Sequence, residues 1–221
     1  RVFQINPEAN VTISDLTIRD GSIADSNGGG INNQGELTLL NSRVFRNTAD
    51  SGGGIYNDFD AVLTIRGGTL DENTATNPVD SIGGGALANM GQVAVFTSTF
   101  DNNVSQIQFI GRDPLFTGGG AVFNNNYPDA TFAVTASLFS NNRALHGGAI
   151  WNLGGTIAVT SSTFTGNQAD PLNFGDGGAI NNADLATVVA STFSTNQARY
   201  GGAIVNFGPT LDIVNSTFAS N

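Results

Sequence analysis

The chain has no cysteine, so it carries no disulfide framework and no thiol chemistry. It has no lysine either: its eight basic residues are all arginines, set against 18 acidic residues for a net charge of −10. An acidic protein without a basic stripe is a poor partner for nucleic acid or an anionic membrane. Histidine, methionine and tryptophan occur once each, as His146, Met90 and Trp151, and no zinc-ligand spacing is present. No run of 18 apolar residues exists, which excludes a membrane-spanning helix. Helical periodicity is absent throughout. There is no initiator methionine and no leader; the text starts strand-like and stops on a repeat asparagine, which reads as a piece of a longer chain.

What the chain does have is a repeat. It is clearest at Gly147-Gly148-Ala149-Ile150-Trp151-Asn152, followed by Thr156-Ile157-Ala158-Val159 and Ser162-Thr163-Phe164-Thr165-Gly166-Asn167. Gly-Gly pairs begin at Gly28, Gly52, Gly84, Gly119, Gly147, Gly177 and Gly201, with steps of 24 to 35 residues, a period that marks solenoids, propellers or arrays. An asparagine lies five residues after each first glycine: Asn33, Asn57, Asn89, Asn124, Asn152, Asn182 and Asn206. A second closes each unit: Asn47, Asn73, Asn103, Asn142, Asn167, Asn196 and Asn221. Three residues before that stands Val44, Leu70, Phe100, Phe139, Phe164, Phe193 or Phe218.

Between the two asparagines apolar residues alternate, as in Leu63 and Ile65 or Ile157 and Val159, with Ala186 and Val188 the weakest pair. Period two means a strand with one buried face. Short strands recurring without hairpin text between them predict an all-β, right-handed parallel β-helix solenoid of about eight coils, in the manner of pectin lyase. It forms a single domain over 1–221, with an entry coil at 1–27 and seven repeats at 28–221. Coils then stack at the ordinary inter-strand spacing, roughly 4.8 Å. Phenylalanine lies on phenylalanine inside the tube, and the asparagines form structural ladders at the turns. A serine column (Ser42, Ser98, Ser137, Ser162, Ser191 and Ser216, with Gly68 as exception) reads as tight packing beside the phenylalanines.

The Gly-Gly-Ala-Ile and Phe-x-x-Asn pairing resembles the repeats of chlamydial polymorphic outer-membrane proteins and of bacterial β-helix surface proteins with the same repeat type. Arg1-Val2-Phe3-Gln4-Ile5 with Val11 to Ile18 resembles the coil that precedes such repeats. The resemblance covers nearly the whole chain and implies a secreted, extracellular or cell-surface bacterial protein. Within residues 1–221 no anchoring or barrel domain is expected beside the repeats.

Length differences between units gather at one corner, after the second asparagine. The longest exits are 74–83, 104–118 and 168–176. Insertions on one face of a solenoid often mark its binding face. Two of these loops carry Phe109, Ile110, Leu115 and Phe116, and Leu172 and Phe174. The residue before each first asparagine points outward, which places Tyr56, Phe123 and Trp151 beside that corner. These nine residues form the expected contact face, suited to a protein partner or a surface glycan.

Chemistry is harder to find. Asp58 with Asp60, and Asp184 with Asp212, are the carboxylate pairs that glycan hydrolysis would need, but none is seen to share a register with a basic partner. His146 lies in a short loop, where a lone histidine is usually solvated. No cofactor is expected; Asp20 with Asp25, or Asp170 with Asp176, could hold a loop Ca²⁺. The leading expectation is a non-enzymatic scaffold or adhesin. The alternatives are a polysaccharide lyase or hydrolase, and a structural subunit of a larger assembly. Open coil ends leave room for end-to-end or lateral self-association.

Overall fold

The computed structural model describes residues 1–76, 83–106, 109–110, 113–114, 118–125, 130–170 and 174–221. They form a parallel β-solenoid with three long sheets of eight strands each. One strand per coil enters each sheet, so eight strands per face give seven steps from coil to coil. In the fifth unit these strands are Ile150–Asn152, Thr156–Thr160 and Thr163–Thr165. A fourth, five-stranded sheet of two-residue strands starts at the exit corner: Thr48–Ala49, Thr74–Ala75, Val104–Ser105, Arg143–Ala144 and Gln168–Ala169.

Like residues stack on like. Ile157 pairs with Phe132 below and Ala186 above, and Val159 with Val134 and Val188. The inward residues form one continuous apolar column, in which even Ala186 and Val188 are buried. Inside it the rings of Phe100, Phe139, Phe164, Phe193 and Phe218 lie 4.7–4.8 Å apart and within 7° of parallel. Coil spacing sets that distance, so the stack is imposed by the backbone and filled by the side chains.

The corners are polar and satisfied. In the first ladder each asparagine Nδ2 donates to the Oδ1 of the next, from Asn33 to Asn206, at 2.6–2.9 Å. The second runs from Asn47 to Asn221 at 2.7–3.1 Å. Its members also close the main chain: Asn167 Nδ2 donates to the Phe139 carbonyl, and Asn167 N donates to Asn196 Oδ1. The serine column is more than packing. Ser162 Oγ donates to the carbonyl of Thr160 and accepts from Ser137 N, and the neighbouring serines repeat the arrangement. A residue with positive φ precedes each of these corners, Ser161 before Ser162 and Gly166 before Asn167. It turns the chain sharply and hands the next side chain to the ladder. At the third corner Gly147 has φ +55° and Gly148 packs against the Gly178 carbonyl of the next coil, where a Cβ would sit 2.1 Å away. The doublet thus answers two demands, handedness and close approach.

Candidate functional site

After the two-residue strands of the exit corner the coils differ in sequence length before the next Gly-Gly pair. Within the longest exit, Phe109–Ile110 and Asp113–Pro114 pair antiparallel. This is the one antiparallel pair among the described residues, and sequence patterning had offered no hairpin. Leu115, Phe116 and Leu172 of the expected contact face lie outside the described residues.

Three members of that face need correction. Tyr56, Phe123 and Trp151 do point away from the main column, but each is 7% exposed or less. They build a second apolar cluster with Ala88 and Met90, against which Leu153 packs. The register explains it: Tyr56, Ala88, Phe123 and Trp151 occupy one position on successive coils, and the Phe123 and Trp151 rings meet at 5.2 Å. The chain at Gly118 closes over the pair, since a Cβ there would stand 2.7 Å from both rings. These aromatics cover one another instead of facing a partner.

Phe174 remains open, at 54% exposure, and the structure gives it a neighbour that sequence reasoning missed: Tyr200, at 53%. The Arg199 guanidinium lies 5.7 Å from the Phe174 ring and 5.2 Å from the Tyr200 ring. Main-chain bonds from Arg199 N and Tyr200 N to the Gly175 carbonyl fix the arrangement. Two half-exposed rings against one guanidinium have the composition of an interaction hot spot. A signal for Tyr200 did exist. His146, Asp176 and Tyr200 each stand directly before a Gly-Gly pair, and that position bridges from coil to coil.

The same column corrects the reading of His146. It is largely buried, 5.7 Å from the Trp151 ring, with Nδ1 3.3 Å from Asp176 Oδ2. At that length the contact is a Coulomb pair more than a well-formed hydrogen bond. Burial pushes the imidazole pKa below its ordinary value, and Asp176 pulls it partly back. Asn181, beside Trp151 in register, is buried with no hydrogen-bond partner for its Oδ1.

The carboxylates serve the turns. Asp58 accepts from Gln34 Nε2 and from Phe59 N. Asp184 Oδ2 accepts from Gly155 N at 2.9 Å. Asp20 is engaged by Arg19 and Arg46. Among the described residues no group of three or more acidic or histidine side chains is placed to hold a metal ion, and no helix is long and apolar enough to cross a membrane.

The family model of the Chlamydia polymorphic membrane protein repeat matches residues 136–153. That segment runs through Phe139, Asn142 and the Gly147-Gly148-Ala149-Ile150 corner. A match to this repeat on a parallel β-solenoid fits a β-helix surface protein of the polymorphic-outer-membrane type. No curated protein matches the chain, and no solved structure does.

Proposed function

We propose that the chain is a bacterial cell-surface β-solenoid: a non-enzymatic scaffold of adhesin type, exposed outside the cell, that makes protein or glycan contacts through its exit corner. The repeat match supports the location. The observation that carries the contact reading is the contrast between a tube of constant cross-section and one corner where the exits vary and Phe174, Arg199 and Tyr200 stand together. Stacked coils give such a protein rigidity from nearest-neighbour contacts, and variable loops on a rigid frame carry recognition.

The test is binding of the tagged chain to intact cells and to an immobilised glycan panel. A Phe174→Ala/Tyr200→Ala double variant should lose binding. A Thr156→Ala/Thr160→Ala variant, changed on the outer face of the second sheet, should keep it. Equal binding by all three proteins would overturn the assignment of the contact corner. Shortening of a panel glycan would point to the enzyme class instead.

A further inference from the structure

The second long sheet, which holds Thr156–Thr160, turns a neutral face outward. In four consecutive strands, Gln92–Phe96, Thr131–Thr135, Thr156–Thr160 and Leu185–Val189, the first, third and fifth residues point out and none of them is buried. None is charged either, on a chain with 18 acidic residues and a net charge of −10. The flanking strands, Val62–Arg66 below and Thr210–Val214 above, continue the register. Each adds one outward charge, Arg66 and Asp212. We propose that this face associates with the same face of a second copy of the chain, the two tubes running antiparallel.

The first argument is charge. Two copies of a chain this acidic repel each other across most of their surfaces. This face is where they can meet without burying carboxylates. The two charges that bound it are of opposite sign and lack charged partners. Asp212 is exposed, with no ion pair or side-chain hydrogen bond among the described residues. Arg66 lies 4.0 Å from the Phe96 ring centroid, with no acidic partner among the described residues.

The second argument is symmetry. A two-fold axis parallel to the strands, set between Thr131–Thr135 and Thr156–Thr160, has three of these strands on either side. It lays Gln92–Phe96 against Leu185–Val189 of the second copy. Phe96 then meets Val189, and the small Ala94 meets Thr187, twice over, as an isologous contact requires. The same axis lays Val62–Arg66 against Thr210–Val214. Sheets packed face to face stand about 10 Å apart, and a two-residue offset along the strand adds about 6.6 Å sideways. Arg66 and Asp212 are thus about 12 Å apart at Cα, a span their side chains bridge. Each end of the contact gains one such pair.

The third argument is spacing. The outward side chains repeat at the coil step, roughly 4.8 Å, and a second copy repeats at the same step, so contacts made at one strand recur at the next. Six strands of five residues present a face of about 450–500 Å² in plan. Two such faces fall below the roughly 1,200 Å² of stable complexes, which makes the dimer weak and dependent on concentration. The sheet lies across the tube from the exit corner, since the chain reaches that corner only after leaving the third sheet. Pairing through it leaves both exit corners free, and a dimer presents two of them.

Sedimentation equilibrium of the full chain, from about 10 µM to about 1 mM, tests the proposal; a dimer should appear with a dissociation constant of roughly 0.1–1 mM. Ala158→Glu sets an unpaired carboxylate at the centre of the contact and should abolish the dimer at an unchanged melting temperature. Arg66→Asp and Asp212→Arg, each alone, should weaken it about tenfold or more, since each sets like charges opposite one another. The two reversals together should restore the parent affinity, a result that damage to the fold cannot give and that decides the matter even if Ala158→Glu fails to fold. A parent that stays monomeric throughout, a dimer untouched by Ala158→Glu, or a double reversal as weak as the single ones would each overturn the proposal. A monomeric parent whose cell binding falls with Ala158→Glu would overturn it too, and would give the face to another partner.

Discussion

Phe164 and Phe218 occupy the same position in different coils, so replacing each by alanine isolates what stacking is worth. Phe164 is fully buried between Phe139 at 4.7 Å and Phe193 at 4.8 Å. Removing it should cost about 3–5 kcal/mol for the lost side chain and cavity. Two broken ring stacks, at about 0.5–1.5 kcal/mol each, push the value to the top of that range. Phe218 stacks on Phe193 alone, at 4.8 Å, and is 44% exposed. Its loss should come to about 1–2 kcal/mol, one stack plus partial burial. For a chain of this size a kilocalorie moves the melting temperature by roughly 2–4 °C. Phe164→Ala should therefore melt about 10–20 °C below the parent, and Phe218→Ala a few degrees below it. Far-UV circular dichroism reads the whole tube, while fluorescence of Trp151 reports the coil that carries Phe164. Because coils are coupled chiefly to their neighbours, Phe164→Ala should also separate the two signals into non-coincident transitions. Equal losses for the two variants would refute the stacking energetics drawn here.

Asn152→Ala should cost about 2–4 kcal/mol in chemical denaturation. It removes the acceptor of one of two Asn124 Nδ2 bonds, the other going to the Gly154 carbonyl, and the donor to Asn182 Oδ1; a cost near zero would mean the ladder is decoration. Asp184→Ala should cost about 1 kcal/mol through the lost bond to Gly155 N, and Asp184→Asn should recover most of it. The His146 pKa is depressed chiefly by burial, so the unfolded chain takes up the proton first as pH falls. Stability is therefore full above the unfolded value near 6.5 and is lost as pH drops from there toward the depressed folded value. Melting temperatures at pH 7.5 and 5 should fall further for the parent than for His146→Gln; identical pH responses would show that His146 is not the group responsible.

Much of this structure is written in the chain because a solenoid repeats its constraints. One glycine doublet is ambiguous, whereas seven in phase with two asparagine columns and a period-two strand fix the register of every coil. Position alone told which side chains leave the tube, but not whether they reach solvent. Tyr56, Phe123 and Trp151 leave it and are covered, because what covers them is neighbouring coils and the chain at Gly118, separated from them in sequence. The same limit hid Tyr200 and Arg199, which matter through their nearness to Phe174. The hydrogen-bonding role of the serine column was missed for another reason. Its partner is the carbonyl two residues earlier, exposed by a positive-φ turn at residues as unlike as Asn41, Thr97 and Ala190.

The entry coil shows where the repeat pattern misleads. It carries Ile5, Leu16 and Gly21 where later coils place asparagine, serine and asparagine. A design that restored the pattern would install Leu16→Ser and Gly21→Asn together, and the structure separates them. Leu16 is half-exposed, and its amide already donates to Ser42 Oγ. A serine there can bond the carbonyl of Ser14 as its counterparts do, so this change should be neutral or stabilising by about 0.5–1 kcal/mol. Gly21 also joins the ladder, through its amide to Asn47 Oδ1 at 2.8 Å. A Cβ at that position, however, would lie 2.1 Å from the Gly29 carbonyl oxygen and 2.9 Å from Val2 Cγ2. The Val2 methyl can move; the carbonyl belongs to a glycine doublet packed on the next coil and cannot. Gly21→Asn should therefore destabilise by about 1–3 kcal/mol despite matching every later coil. Thermal melts of the two single variants decide the matter: a stabilising Gly21→Asn would mean that the ladder outweighs the clash and that the entry coil can move away from Gly29.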